Sequence, residues 1–253
     1  MELTWATYLI VCPLVFLAGL IDSVAGGGGL ISLPAYYLAG LNPVLAAGTN
    51  KLSACLGTVA STTRFIRGKK VDWKAGIFAA IGAFPGSWLG TLLLQHIPED
   101  TVRLLMICAI PLVAVVVLRK REMTGRCLVE ENFYRPLAFV IGLVIGFYDG
   151  LIGPGTGTFL ILMFTMALGM EAVMASGTAK VVNLTSNVAA LCSYLTNQPE
   201  NVLFALALPA ALCGMAGNWL GASLTVKKGV GFIRYMLLVV LALLLAKMVL
   251  DVL

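Results

Sequence analysis

The sequence predicts an all-α polytopic membrane protein built from two inverted-topology repeats of about five helical segments each, some of them broken or short. Three observations carry this prediction. The 253 residues are 60% hydrophobic and only 11% charged, with a mean hydropathy of +0.97, against roughly 25% charged residues in a soluble domain. The same landmarks occur twice in the same order. Equivalent loops of the two copies carry opposite charge bias.

The apolar runs are too many for a soluble core of this size, because most residues of a small domain touch its surface. They are also solidly apolar, whereas strands of a membrane barrel alternate. The first run, TWATYLIVCPLVFLAGLIDSVAGG, has no basic segment before it and no clear cleavage site, so it reads as a first membrane helix rather than a secretion signal. The net charge of +5 sits mostly in short loops, where it sets orientation. It points to a lipid bilayer as partner and not to nucleic acid. The cysteines Cys12, Cys55, Cys108, Cys127, Cys192 and Cys213 show no CxxC spacing, and five lie in apolar runs as small hydrophobes. A single histidine, His96, argues against a histidine-built metal site, and no metal or cofactor is expected.

The duplication is read from four landmarks. GLIDSVAGGGGLISLP around Asp22 matches GFYDGLIGPGTGTFLI around Asp149, 127 positions on. AAGTNKL (46–52) matches ASGTAKV (175–181), pairing Lys51 with Lys180 at an offset of 129. PGSWLG (85–90) matches AGNWLG (216–221), and Arg103 matches Arg234, both at an offset of 131. The halves are 1–125 and 132–253, with 126–131 part of the charged linker RKREMTGRCLVEENFYR. In the first half, helical segments are expected near 5–25, 28–40, 44–65, 74–95 and 102–119; the second, at about 13 residues, is short for a span of roughly 20.

Loop charge orients the copies. Arg64, Arg67, Lys69, Lys70 and Lys74 follow the third segment, whereas the matching loop LTNQPEN has no basic residue. One turn later the bias reverses: QHIPEDTVR holds one basic residue and VKKGVGFIR three. Equivalent loops therefore prefer opposite sides, as inverted repeats require. The basic linker shares the cytoplasmic side with the 64–74 loop, which puts both termini outside.

Four consecutive glycines, Gly26, Gly27, Gly28 and Gly29, would cost several kcal/mol inside one helix, at about 1 kcal/mol each. A break is cheaper, and the second copy agrees, with Pro154 among Gly153, Gly155 and Gly157. Broken backbone at membrane depth survives where it is buried or lines a cavity. Breaks at matching positions of two inverted halves point to a transporter binding site, and the restarting helices offer amides and a positive dipole end to an anion. Close helix packing through small residues is the bland alternative. Asp22, Lys51, Asp149 and Lys180 are membrane charges at matching positions. Either they form buried ion pairs that hold the fold, or the lysines are counter-charges for an anion and the aspartates proton carriers. Thr49, Asn50, Ser53, Thr178, Asn183 and Asn187 cluster near them and suit an oxyanion. Trp88 and Trp219 are expected to pack on a glycine face, Arg103 and Arg234 to anchor at an interface, and Trp73 to sit at headgroup level.

Enzyme readings fare badly. Neither Gly-rich segment matches a GxGxxG or GxxxxGK[ST] phosphate loop, and the GxGD element of intramembrane aspartyl proteases is absent. A channel would share the polar pathway without needing two inverted gates.

GLIDSVAGGGGLISLPA with AAGTNKLSACLGT, and GFYDGLIGPGTGTF with ASGTAKVVNLTSN, together resemble the TauE/SafE family of sulfite exporters and toluene-sulfonate uptake permeases, and the second set resembles its YfcA-like branch. The resemblance covers nearly the whole chain. It implies a bacterial inner-membrane transporter of small sulfur-containing anions such as sulfite or organosulfonates, with no catalytic residues and a homodimer among its possible assemblies. Carried onto this chain, it nominates Gly26, Gly27, Gly28, Gly29, Thr49, Asn50, Lys51, Gly153, Gly155, Thr178, Lys180, Asn183 and Asn187 as substrate-binding residues. Ala179 stands where the first half has Asn50, so the site is not two-fold symmetric.

Overall fold

Apolar runs punctuated by glycine, proline and capping residues become eight α-helices among the described residues. These are 3–98, 100–101, 104 and 130–228 in a computed structural model. The helices are α1 (Trp5–Ala25), α2 (Gly29–Leu38), α3 (Pro43–Arg67), α4 (Trp73–His96), α5 (Glu131–Leu151), α6 (Thr156–Met166), α7 (Ala172–Asn197) and α8 (Phe204–Lys228). A 3-10 turn, Pro199–Asn201, joins the last two. The segments expected at 102–119 and after Lys228 lie outside the described residues, as do Arg103, Arg234, Cys108, Cys127 and most of the linker.

Local chemistry sets the boundaries. Asn42 caps α3 by accepting from the Leu45 amide at 2.8 Å, with Pro43 following it. Asp72 caps α4 through the Lys74 and Ala75 amides and takes a 2.7 Å bond from the Tyr134 hydroxyl. Trp73 stands beside this cap, about half exposed. α1 ends where Gly26 turns left-handed at φ 79°.

By length and composition α1, α4, α5 and α8 can each cross a membrane. Leu9, Ile81, Val144 and Leu212 on these four helices face outward, an apolar exterior suited to lipid. α3 and α7 are as long, at 25 and 26 residues, but carry the lysines and asparagines and are buried along most of their length. α2 and α6, with 10 and 11 residues, are about 15–17 Å long, half of a roughly 30 Å hydrocarbon core. They are half-helices: α2 doubles back along α1, so that Tyr36 packs in one cluster with Val11 and Val15.

Contacts between helices fix their directions. α1 runs parallel to α8, Gly217 meeting Phe16 and Leu20 while Gly221 meets Leu20 and Ser23. α3 lies along α8 in the same sense, from Gly57 at Asn218 to Gly68 at Val226. α4 runs parallel to α5, with Gly82 at Phe139, Gly86 at Leu143 and Gly90 at Phe147. α7 follows α4, from Asp72 bonded to Thr178 to Ser87 bonded to Ser186. α3 opposes α7: Thr62 bonds Lys180, Asn187 bonds Thr58, and Gly48 abuts Tyr194. Thus α1, α3 and α8 point one way and α4, α5 and α7 the other. Each long helix of the first half opposes its counterpart in the second.

Neither Trp88 nor Trp219 is among the nearest neighbours that a Cβ on the described glycines would meet. Trp88 stacks beside Phe84, and Trp219 lies under the Arg67 guanidinium at 5.7 Å. The glycines instead meet backbone: a Cβ at Gly86 would lie 2.3 Å from the Leu143 carbonyl oxygen, and one at Gly217 2.0 Å from that of Phe16. An indole ring is too thick for such a contact, so it turns outward.

Candidate functional site

The glycine segments are breaks, and the two breaks touch. Gly26, Gly153 and Gly155 all have positive φ, and the helices restart at Gly29 and Thr156. A Cβ on Gly26 would fall 2.2 Å from the Gly157 carbonyl carbon. Across the contact the Thr158 amide bonds the Gly26 carbonyl at 3.2 Å and its hydroxyl bonds the Ala25 carbonyl at 2.6 Å. Glycine here serves both readings of the motif, the interruption and the close approach.

Several amides expected to be free for a ligand are already in use. The Gly28 amide bonds Asp22 Oδ1 at 3.3 Å, Leu30 bonds the Gly27 carbonyl, and Thr158 is spent across the break. Carboxylate and hydroxyl groups close the second break as well. The Thr156 hydroxyl donates to Asp149 Oδ1, and the Tyr148 hydroxyl donates to the Pro154 carbonyl.

The membrane charges pair across the halves. Lys51 of α3 meets Asp149 of α5 at 2.7 Å, and Lys180 of α7 meets Asp22 of α1 at 2.5 Å. Each lysine therefore finds its counter-ion in the other copy. The Asp149 carboxylate also accepts from Ser186 and Thr156, and Lys51 donates further to the Asp149 carbonyl and to Asn187. Among the described residues the Asp22 carboxylate has only the Gly28 amide besides Lys180, and its side chain is the most exposed of the four, at 16%. In this state the four charges sum to zero.

A cavity of about 70 Å³ lies against the breaks. A water needs roughly 10–15 Å³, so this volume admits a few waters or one small polyatomic ion. Asp22, Asn50, Lys51, Asp149, Asn183 and Asn187 line it, together with Gly26, Gly28, Gly29, Gly153 and Gly155. Gly27, Thr49, Thr178 and Lys180 are not among its walls. The Thr49 hydroxyl accepts from the Leu203 amide, and that of Thr178 from the Asp72 amide, so both pin connecting segments. Lys180 is fully buried behind Asp22.

Sequence reasoning did not single out Tyr194, Asn218, Thr58 and Thr156 as wall residues. Asn218 had a signal: it replaces Ser87 in the repeated tryptophan motif. It bonds Ser23 and the Gly214 carbonyl. A tyrosine inside an apolar run, such as Tyr194, carries none.

The sequence model of the family described as "Sulfite exporter TauE/SafE" matches residues 11–248. The chain is 34% identical over 235 residues to the "Probable membrane transporter protein YfcA" of Escherichia coli K12, covering 93% of this chain and 87% of that protein. It is 34% identical over 236 residues to a "Probable membrane transporter protein" of Haemophilus influenzae, covering 93% and 92%. It is 22% identical over 243 residues to "Probable membrane transporter protein YunE" of Bacillus subtilis, covering 86% and 87%. No solved structure matches the chain. These relatives are transporters, not enzymes. A match along nearly the whole length, over helices that form a broken-helix cavity in a membrane-suited bundle, places this chain in the TauE/SafE family of membrane transporters.

Proposed function

We propose that the chain is a secondary transporter of small sulfur-containing anions, sulfite or organosulfonates, working by alternating access in a bacterial inner membrane. The observation that carries this reading is the cavity at the contact of two helix breaks, one from each oppositely directed set of helices. Halves 1–125 and 132–253 rock about that contact and expose the cavity to one side and then the other. The basic loop Arg64–Lys74 and the linker face the cytoplasm, and both termini face outward. The description of the family supports the sulfur-containing cargo.

Charge arithmetic supports proton coupling. Both lysines are already neutralised, so an anion entering alone would leave a net negative charge in a low-dielectric site. A proton on Asp22 or Asp149 frees a lysine for the anion, and the two move together. Anion affinity then rises as pH falls.

Purified protein in liposomes loaded with unlabelled sulfite tests the reading. Labelled sulfite should accumulate transiently by counterflow with the membrane potential clamped at zero, a condition under which a channel gives no accumulation. Gradient-driven uptake should vanish in Asp22→Asn and Asp149→Asn. Counterflow with cysteate or carboxylates but never with sulfite would overturn the sulfite cargo. Equal pH-gradient dependence in wild type and both variants would overturn the coupling.

A further inference from the structure

Among the described residues, five side-chain polar atoms are buried with no hydrogen-bond partner: Asn50 Oδ1, Gln95 Nε2 and Oε1, Ser193 Oγ and the Tyr194 hydroxyl. Only Asn50 and Tyr194 also line the cavity. Tyr194 is fully buried and Asn50 is 9% exposed. A buried polar group without a partner costs stability, so each calls for a reason.

The duplication supplies an internal control. At the offset of 129, the counterpart of Tyr194 is Phe65, and that of Gly48 is Gly177. The two rings pack alike: Tyr194 Cδ1 lies 3.1 Å from a Cβ built on Gly48, and Phe65 Cδ1 lies 3.1 Å from one built on Gly177. A phenylalanine ring therefore meets the packing need, and the tyrosine hydroxyl is additional. Asn50 has the same relation to Ala179, which is fully buried in an apolar cluster. Neither Phe65 nor Ala179 lines the cavity. At both positions an unpartnered polar group stands where the other copy has an apolar residue, and both residues are cavity walls.

Resting on the transport reading above, we propose that the Tyr194 hydroxyl and the Asn50 side-chain carbonyl read the ligand, and that the ligand is a small oxyanion carrying its own O–H or N–H donor. A carbonyl oxygen only accepts, so Asn50 requires a donor on the ligand. The tyrosine hydroxyl donates to an oxyanion oxygen. A site with such buried groups rejects an analogue that leaves them unpaired.

Two matched pairs of probes test this by calorimetry on the full-length protein: 2-hydroxyethanesulfonate against ethanesulfonate, and lactate against propanoate. The wild type should bind the donor-bearing member of at least one pair about tenfold more tightly or better. Tyr194→Phe and Asn50→Ala each install the counterpart residue. Asn50→Ala should reduce that preference to about threefold or less, and Tyr194→Phe should weaken both members of the pair about tenfold, while the melting midpoint of the unliganded protein holds or rises. Equal wild-type affinity within both pairs, full preference retained in Asn50→Ala, or affinity for both members unchanged in Tyr194→Phe overturns the proposal while leaving anion transport standing. A wild type that binds sulfite but none of the four overturns the proposal alone, and one that binds neither sulfite nor any of the four overturns the transport reading with it.

Discussion

The α1–α8 and α4–α5 seams are counterparts under the duplication, yet they are built differently. Along α4–α5 six glycines interdigitate: Gly82, Gly86 and Gly90 from one helix, Gly142, Gly146 and Gly150 from the other. Along α1–α8 only Gly19, Gly217 and Gly221 remain at the corresponding places, and Val15, Ser23 and Cys213 fill the others. Ser23 bonds Asn218. The same contrast holds for the carboxylates. Asp149 on α5 has a lysine and two hydroxyls, whereas Asp22 on α1 has a lysine and one long amide bond. One side of the molecule is packed backbone to backbone and saturated with partners. The other keeps side chains in its seam and a carboxylate open to the cavity. Duplication preserved the architecture and let the two sides diverge in tightness.

The largest effect is expected from giving the tight seam its counterpart's residue. A Cβ at Gly142 would lie 1.9 Å from the Ala79 carbonyl oxygen, so Gly142→Val should cost about 3 kcal/mol or more. Gly214→Ala, whose added Cβ meets Val15 Cγ1 at 3.1 Å, should cost about 1 kcal/mol at most. Unfolding midpoints in detergent compare them, and equal losses would erase the contrast between seams.

Next come the carboxylates. Asp149→Asn strips an ion pair buried on both partners and should cost about 3–5 kcal/mol. Asp22→Asn should cost no more than this: its own side chain is partly exposed and less bonded, but it leaves the fully buried Lys180 without its carboxylate. A larger loss for Asp22→Asn, measured by the same unfolding midpoints, would reverse the assignment of the saturated side.

The smallest effect sharpens the comparison. Ser23→Ala removes the hydroxyl bonded to Asn218 and Gly19 and should cost about 1 kcal/mol. Ser23→Gly, which copies Gly150, should let α1 approach α8 more closely. A shorter distance between paired spin labels on the two helices would register that approach.

Much of the architecture was legible in the sequence because each signal was local. Helix lengths follow apolar runs, the breaks follow the glycine and proline clusters, and the half-length of α2 follows from Gly29 to Leu38 lying between two turn signals. Opposite loop charge gave the opposite sense of the copies, which the helix directions repeat. Pairing was harder to read. Asp22 and Lys51 lie in one copy, so spacing alone leaves open whether they meet each other. Only the register of α3 against α5 and of α7 against α1 crosses the pairs. Thr49 and Thr178 looked like ligands because they flank the lysines, but a helix turns 100° per residue and points them at neighbouring loops. Tyr194 was hidden for the opposite reason: its ring does ordinary packing, and only comparison with Phe65 exposes the hydroxyl as surplus.

The crossed ion pairs also bear on why the two halves share one chain. A single half inserted in lipid would carry an ammonium whose carboxylate partner belongs to the other half. Its own aspartate would be equally stranded. Two copies lying head to tail satisfy both. Holding both orientations in one chain keeps the crossed pairs together while each seam carries its own residues.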